Sequence, residues 1–402
     1  MSLGLKRMIT VCASVLLQMC VGILYLWSVF RGPVIEFFDW DGSSANLVSS
    51  FMIFGFVAGN LFGGMVRDKI GSRITALIGA VLFAGGIFIT SFLSANSVWL
   101  IFITYSVISG LGCGFVYGAV LACLQKWFPK RKGFASGIAV ASFGISTVIF
   151  TPVIEAFLNS FSVVQTFRYL SIIFVVVGIL SALLIFPAAE SAAQLESEFL
   201  TPKQAVRKGC FWCIALSFFF INAAWNIALP LLKDLGLSRG LSQTAVGITV
   251  AVVGVGNALG RFSMASLSDK FSRADTIIML AVLTSLCSVA LIWAGGYFYI
   301  VVIVLTAFAY GGPSAVFPPM TTDLCGSKYA GTNYGIAMLG LGFSAVCFTA
   351  ISNALYEASG TYTYSFIIAA VSAVIPIGLM VLYKFLDGRS RKSVMTEKII
   401  SD

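Results

Sequence analysis

Twelve apolar runs follow one another along almost the whole chain, near 8–30, 44–66, 74–95, 98–124, 134–157, 166–188, 210–232, 244–267, 275–296, 298–321, 332–355 and 363–386. Each is long enough to cross about 30 Å of hydrocarbon as a helix. Backbone N–H and C=O groups in hydrocarbon have no water to bond, so runs of this length satisfy them internally by folding as helices. The composition agrees: 59% of residues are hydrophobic and 10% charged, where a soluble domain carries about 25% charged residues. The expected fold class is an all-α membrane protein with twelve transmembrane helices.

The basic residues set an expected orientation. With the N-terminus in the cytoplasm, all Lys and Arg residues except Arg31, Arg168, Lys233, Arg239 and Arg261 fall on the cytoplasmic side of the predicted spans, as the positive-inside rule requires. The net charge of +9 is therefore a topology signal, and nucleic acid is not expected as a partner. Lys6 and Arg7 precede the first run as in a signal peptide, but about 23 apolar residues without a small-x-small cleavage site read as a retained helix in a cell or bacterial inner membrane. There is no histidine, most of the nine cysteines lie inside predicted spans, and the Cys210-x-x-Cys213 pair is flanked by Phe211 and Trp212, so it reads as buried apolar thiols. No metal, cofactor or catalytic constellation is expected. Gly110-x-Gly112-x-Gly114 lacks the preceding strand and following lysine of a phosphate loop.

The chain repeats itself. Asp68-Lys69 ends the second run and Asp269-Lys270 ends the eighth, 201 positions later in a chain of 402. Residues 59–73 align with 260–273 without a gap up to that pair, which predicts two pseudo-symmetric six-helix bundles: residues 1–188 and 209–402, joined by a polar cytoplasmic linker, 189–208. Gly64, Asp68, Lys69, Gly71 and Arg73 form G-x-x-x-D-[RK]-x-G-x-[RK], weakened in the second copy where Ala265 and Ser272 replace glycines. This pattern resembles that of the major facilitator superfamily. Its physical logic is a tight basic turn whose carboxylate can sit at a neighbouring helix N-terminus and latch it. Asp68, Asp269 and Arg73 are the expected conformational residues. Gly55, Gly59 and Gly63, with Gly110, Gly114 and Gly118, are expected to let two helices approach closely.

A finer resemblance lies in Gly22-x-x-Tyr25-x-Trp27-Ser28-Val29-Phe30, in KWFPKRKGFASGIAVASFG at 126–144 and in CGSKYAGTNYGI at 325–336. These blocks, spread over both halves, are similar to the oxalate/formate antiporter family and the related monocarboxylate transporters. The resemblance implies a secondary transporter of small carboxylates.

Arg261 is the residue from which a site can be argued. It precedes Asp269 by eight positions, roughly 12 Å of helix, which places it near the bilayer midplane. A guanidinium stays protonated there and is costly unless it faces a cavity and meets an anion. All sixteen acidic residues lie in loops or near span ends, and the symmetry mate of Arg261 is the neutral Asn60, so one fixed cation is available to a substrate. The resemblance implies that Arg261 pairs with a carboxylate. It also implies that a dicarboxylate carrier adds a lysine in the eleventh helix, near Gly340 or Leu341, and this chain has none there. A second carboxylate would be desolvated without a counter-charge, so a monocarboxylate is expected.

Tyr25, Tyr117, Asn222, Asn226 and Tyr310 offer neutral hydroxyls and amides at membrane depth and complete the expected substrate site. Asn222 and Asn226 are four apart on one helical face; Tyr334, close to the start of the eleventh helix, is a candidate cytoplasmic gate. Glu155 and Asp323, near span ends, suit capping or loop bracing. The expected function is transport of lactate- or pyruvate-class acids by alternating access, coupled to protons as the resemblance implies, with oxalate/formate-type anion exchange as the alternative. Membrane lipid is the other expected partner. A membrane sensor is disfavoured by a tail of only about sixteen residues after the last run.

Overall fold

The computed structural model describes residues 2–40, 42–188 and 199–401, with side chains left out at 42, 43, 46 and 389–401. Among them lie twelve helical spans long and apolar enough to cross a membrane: α1 (Leu3–Phe38), α2 (Leu47–Ile70), α3 (Ser72–Thr90), α4 (Ala95–Trp127), α5 (Lys132–Ser160), α6 (Val163–Leu183), α7 (Gly209–Ala228), α8 (Gln243–Ser268), α9 (Arg273–Trp293), α10 (Gly296–Cys325), α11 (Ala330–Ser359) and α12 (Thr363–Gly388). No strand occurs among the described residues. Each expected run corresponds to one span, and the first six and last six form the two bundles.

Packing within and between the bundles is set by small residues. Gly55, Gly59 and Gly63 of α2 lie against α4: a Cβ on Gly59 would stand 2.2 Å from the Leu111 carbonyl oxygen, and one on Gly114 2.2 Å from that of Phe56. Two seams join the bundles. Along one, Gly133, Gly137 and Gly144 of α5 meet Ala265, Phe262 and Ala258 of α8; along the other, Gly64 and Leu61 of α2 meet Gly331 and Gly335 of α11. Without a hydrophobic drive between helices in lipid, such close backbone approach is what generates the packing energy.

Three spans are irregular where the sequence predicts plain helices. In α1 the α-helix stops at Val21, continues as a 3₁₀ segment (Gly22–Leu26) and resumes at Trp27–Phe38, ending at Asp39 with a φ of 49°. At Gly22 this segment packs directly on α5, since any Cβ there would be 2.3 Å from the Phe143 carbonyl oxygen. The α4 span opens with a 3₁₀ segment, Ala95–Leu100, followed by a π-helical stretch, Phe102–Ile108, along which Thr104 Oγ1 donates to the Leu100 carbonyl at 3.1 Å and Ser109 Oγ to that of Thr104 at 3.3 Å. In α7 the helix breaks at Asn222 and ends at Ala228, two residues before Pro230.

Of the expected linker, 189–198 lies outside the described residues. Residues 199–208 include one helical turn, Pro202–Ala205, capped by Thr201. Leu200 ties this stretch to the second bundle: its N–H donates to the Cys325 carbonyl at 2.8 Å and its carbonyl accepts from Asn333 Nδ2 at 3.0 Å.

Candidate functional site

The breaks in α1 and α7 flank the centre of the molecule, and Arg261 of α8 lies between the bundles at that level. Its side chain is 1% exposed. Nε donates to Asn257 Oδ1, one turn earlier on the same face. Nη1 donates to the Val140 carbonyl of α5 at 3.2 Å and Nη2 to the Tyr25 hydroxyl of α1 at 2.9 Å. The Tyr25 hydroxyl is also 3.1 Å from that of Tyr310 in α10. The guanidinium carbon stands 5.6 Å from the Tyr25 ring centre and 5.5 Å from that of Phe143.

All of these partners are neutral, and among the described residues no carboxylate pairs with Arg261. Burying the charge costs several kcal/mol. Hydrogen bonds to a charged donor return about 1.5–3 kcal/mol each and the ring faces up to about 2 kcal/mol when desolvated. Dipoles orient the guanidinium but leave its net charge uncompensated, which is the condition under which an anion binds.

Tyr117 joins the group through the sequence of α10. Pro318 has no N–H to give the Ser314 carbonyl four residues earlier, and the Tyr117 hydroxyl donates to that oxygen from the other bundle at 3.2 Å. Its ring packs edge-on against Phe56 and Phe143. Tyr334, 4% exposed, has its hydroxyl close to that of Tyr117 and lies near Tyr310 and Arg261. It also lines a cleft with Asn60, Arg67 and Thr322 on the side towards the basic face, so it stands between the central group and that face.

Asn222 and Asn226 are buried but turned elsewhere. The Asn222 amide donates to the Phe218 carbonyl at 2.6 Å and that of Asn226 to Ser344 Oγ in α11 at 2.9 Å. Near the centre stand instead Trp225 of α7 and, from the segment that follows it, Leu229 and Leu232. These three line one narrow cleft with Tyr25, Ser28, Asn257 and Thr147. A neighbouring narrow cleft is lined by Tyr25, Ser28, Arg31 and Pro230, among others. Both lie on the side of Tyr25 away from the basic face. Helical spacing identified Asn222 and Asn226 as sharing a face, but which face α7 turns inward depends on its break.

On the basic face the two repeat carboxylates bind helix starts of the opposite bundle. Asp68 accepts from Thr332 N at 3.2 Å and Thr332 Oγ1 at 2.7 Å; Asp269 accepts from Gly133 N and Phe134 N at 2.9 Å each. Lys132 and Arg273 both hold Asp323, at 3.0 and 2.6 Å. Arg73, nominated from the motif, is exposed and has no hydrogen bond among the described residues; Arg67 grips Asp68 instead. The two arginines lie six residues apart on opposite sides of the Gly71 bend, Arg67 in α2 and Arg73 in α3, and only Arg67 reaches α11, against Gly331. No group of three or more His, Cys, Asp or Glu side chains able to hold a metal lies among the described residues.

Sequence reasoning missed Asn257, Phe143 and Trp225. Asn257 carried a signal, an amide exactly one turn from the intramembrane arginine; Phe143 and Trp225 carried none, being apolar residues in apolar runs.

A fold of twelve helices in two bundles, with a buried cation at their meeting line, is that of a membrane transporter. The sequence matches the Major Facilitator Superfamily over residues 8–238 and 214–397, and the chain belongs to that superfamily. It is 27% identical over 389 residues to the oxalate:formate antiporter of Oxalobacter formigenes, covering 94% of this chain and 91% of that protein. It is 22% identical over 364 residues to monocarboxylate transporter 13 of Rattus norvegicus, covering 90% and 84%. Its fold resembles that of the proton:xylose symporter XylE bound to 6-bromo-6-deoxy-D-glucose, with a TM-score of 0.78 at 17% identity over 96% of this chain and 97% of that one.

Proposed function

We propose that this transporter carries a small monocarboxylate of the lactate or pyruvate class by alternating access. The observation that carries the reading is Arg261: fully buried at the line where the bundles meet, and held by neutral acceptors alone. A carboxylate arriving there supplies the missing charge and takes the paired N–H donors in planar geometry. Tyr25, Tyr117 and Tyr310 surround the acid with hydroxyls, and the absence of a second cation on α11 limits it to one negative charge. The similarity to an oxalate:formate antiporter and a monocarboxylate transporter supports the same substrate class.

The bundles, residues 1–188 and 209–402 with the linker 189–208 between them, rock about this site. Asp68 and Asp269 latch the basic face, which is cytoplasmic in this reading, with both termini on that side. Tyr334 closes the path between site and face.

Coupling has two readings. In the first, a proton accompanies the acid. The second, anion exchange, is favoured by the neutral surroundings of Arg261: an empty carrier passing through a closed centre keeps an uncompensated buried charge, whereas a loaded one does not. Purified protein in liposomes separates them. Labelled lactate uptake driven by an inward proton gradient into empty vesicles supports symport; uptake that requires unlabelled lactate inside supports exchange. If neither condition gives uptake of lactate or pyruvate, the monocarboxylate reading falls.

A further inference from the structure

Trp225 is a tryptophan with an unexplained indole. It is 3% exposed, and its Nε1 has no hydrogen-bond partner. Buried tryptophans ordinarily find an acceptor for this N–H, and an orphan donor at membrane depth, where water does not compensate, is costly. Trp27, Trp127 and Trp212 show the usual outcome, each donating Nε1 to a backbone carbonyl at 2.7–2.9 Å.

The position of the orphan is specific. Trp225 sits three residues past the break in α7 and lines the central cleft together with Leu229 and Leu232 of the segment that follows the helix. Its ring stacks on Tyr310, centroids 5.2 Å apart and planes 22° from parallel. Tyr310 in turn meets the Tyr25 hydroxyl that accepts from Arg261. The cleft wall thus runs from Asn257 and Tyr25, which hold the guanidinium, to Trp225, with apolar side chains, Val250 and Val253 among them, between. The guanidinium lies behind one end of this wall, bonded to Asn257 and Tyr25, and a neutral donor without an acceptor, Trp225, forms part of the other.

We propose that Trp225 determines specificity within the carboxylate class by donating its indole N–H to an oxygen on the second carbon of the substrate, so that 2-hydroxy and 2-oxo acids are preferred over plain alkanoic acids of the same length. The inference rests on Arg261 as the carboxylate anchor. An indole N–H suits a neutral hydroxyl or carbonyl, because a second carboxylate would need a full counter-charge. A site built around a donor also rejects the analogue lacking the acceptor, since binding that analogue leaves the donor buried and unpaired.

Lactate and propionate share a three-carbon skeleton and differ at the second carbon by one hydroxyl, so their ratio of kcat/KM in proteoliposomes isolates the contact. The wild-type protein is expected to favour lactate by about tenfold or more. Trp225→Phe keeps an aromatic ring over Tyr310 but has no N–H, and is expected to lose most of that preference, whichever way the absolute rates move. A Trp225→Phe protein with the wild-type ratio overturns the proposal. So does a wild-type protein that transports both acids equally well, a measurement that needs no variant and stands even if Trp225→Phe does not fold. Transport of neither acid would overturn the monocarboxylate reading itself and take this inference with it. Equal transport of both leaves that reading intact, and Arg261→Lys, which is expected to depress both acids together, reports on the anchor separately.

Discussion

Arg261 and its contacts separate charge from geometry. Lysine at that position keeps the charge but replaces a planar fork with a single ammonium on a shorter reach. Losing one charge-assisted bond of about 1.5–3 kcal/mol corresponds to roughly a tenfold to hundredfold loss in kcat/KM. Arg261→Lys is therefore expected to lose most lactate uptake at normal expression, and wild-type uptake would remove Arg261 from the site. Substrate charge has its own test on α11. Gly340 is unsuitable for an added lysine, since its Cβ would stand 2.3 Å from the Ala215 carbonyl oxygen. Leu341, buried and seven residues beyond Tyr334 on the same helical face, is the better place. Leu341→Lys puts two cations in a confined space, so monocarboxylate transport should fall while a dianion such as oxalate relieves the repulsion. Competition assays on the folded variant should show the preference moving towards oxalate; an unmoved preference would mean that charge count does not select the substrate.

At the scale of elements, the contact between α2 and α4 is the most exacting. Gly114 has the Phe56 carbonyl oxygen, Asn60 N and Gly59 C all within 2.5 Å of where a Cβ would be. Backbone on every side cannot move as a flexible side chain can, so Gly114→Val should force the helices apart and cost several kcal/mol. Thermal unfolding of detergent-purified protein should show a marked fall in Tm or loss of folded yield. Gly85→Ala, in open space on α3, should be close to neutral in the same assay. The breaks in α1 and α7 are the other element-scale feature. They are positioned where the halves meet, so that a 3₁₀ turn points Tyr25 at Arg261 and the turn after Asn222 points Trp225 into the cleft.

Across the whole molecule, closure of the basic face rests on carboxylates capping helices in the opposite bundle. Asp269 accepts two backbone N–H groups and pairs with Arg273. Asn in its place offers one acceptor oxygen and turns an amide N–H towards one of those donors. With a loss of about 2–3 kcal/mol, the balance should shift by roughly thirtyfold to hundredfold towards a state open on that face. Spin labels at Lys130 and Lys270, on opposite bundles, should report a longer distance population in Asp269→Asn than in the wild type; an unchanged distribution would mean that other ties hold the face shut.

The number of spans, their approximate limits and the repeat were legible in the sequence, because hydrocarbon thickness sets helix length and a 201-residue spacing survives in the Asp-Lys pairs. The importance of Arg261 was legible for a related reason: the cost of a buried guanidinium depends on depth, and depth follows from counting residues along a helix. The company Arg261 keeps was not. Tyr25 lies 236 positions from it, and their contact depends on how two bundles dock and where one helix breaks, which no local period encodes. The same holds for Asn222, whose amide bonds back to Phe218 of its own helix, for Asn226, whose amide bonds to Ser344 of α11, and for Arg67, which pairs with Asp68 while Arg73 stays exposed. Local chemistry and length thus determined which residues lie in the membrane and which of them must find a partner; only the packing of glycine-lined seams, through contacts between residues far apart in the chain, decided which partner each one found.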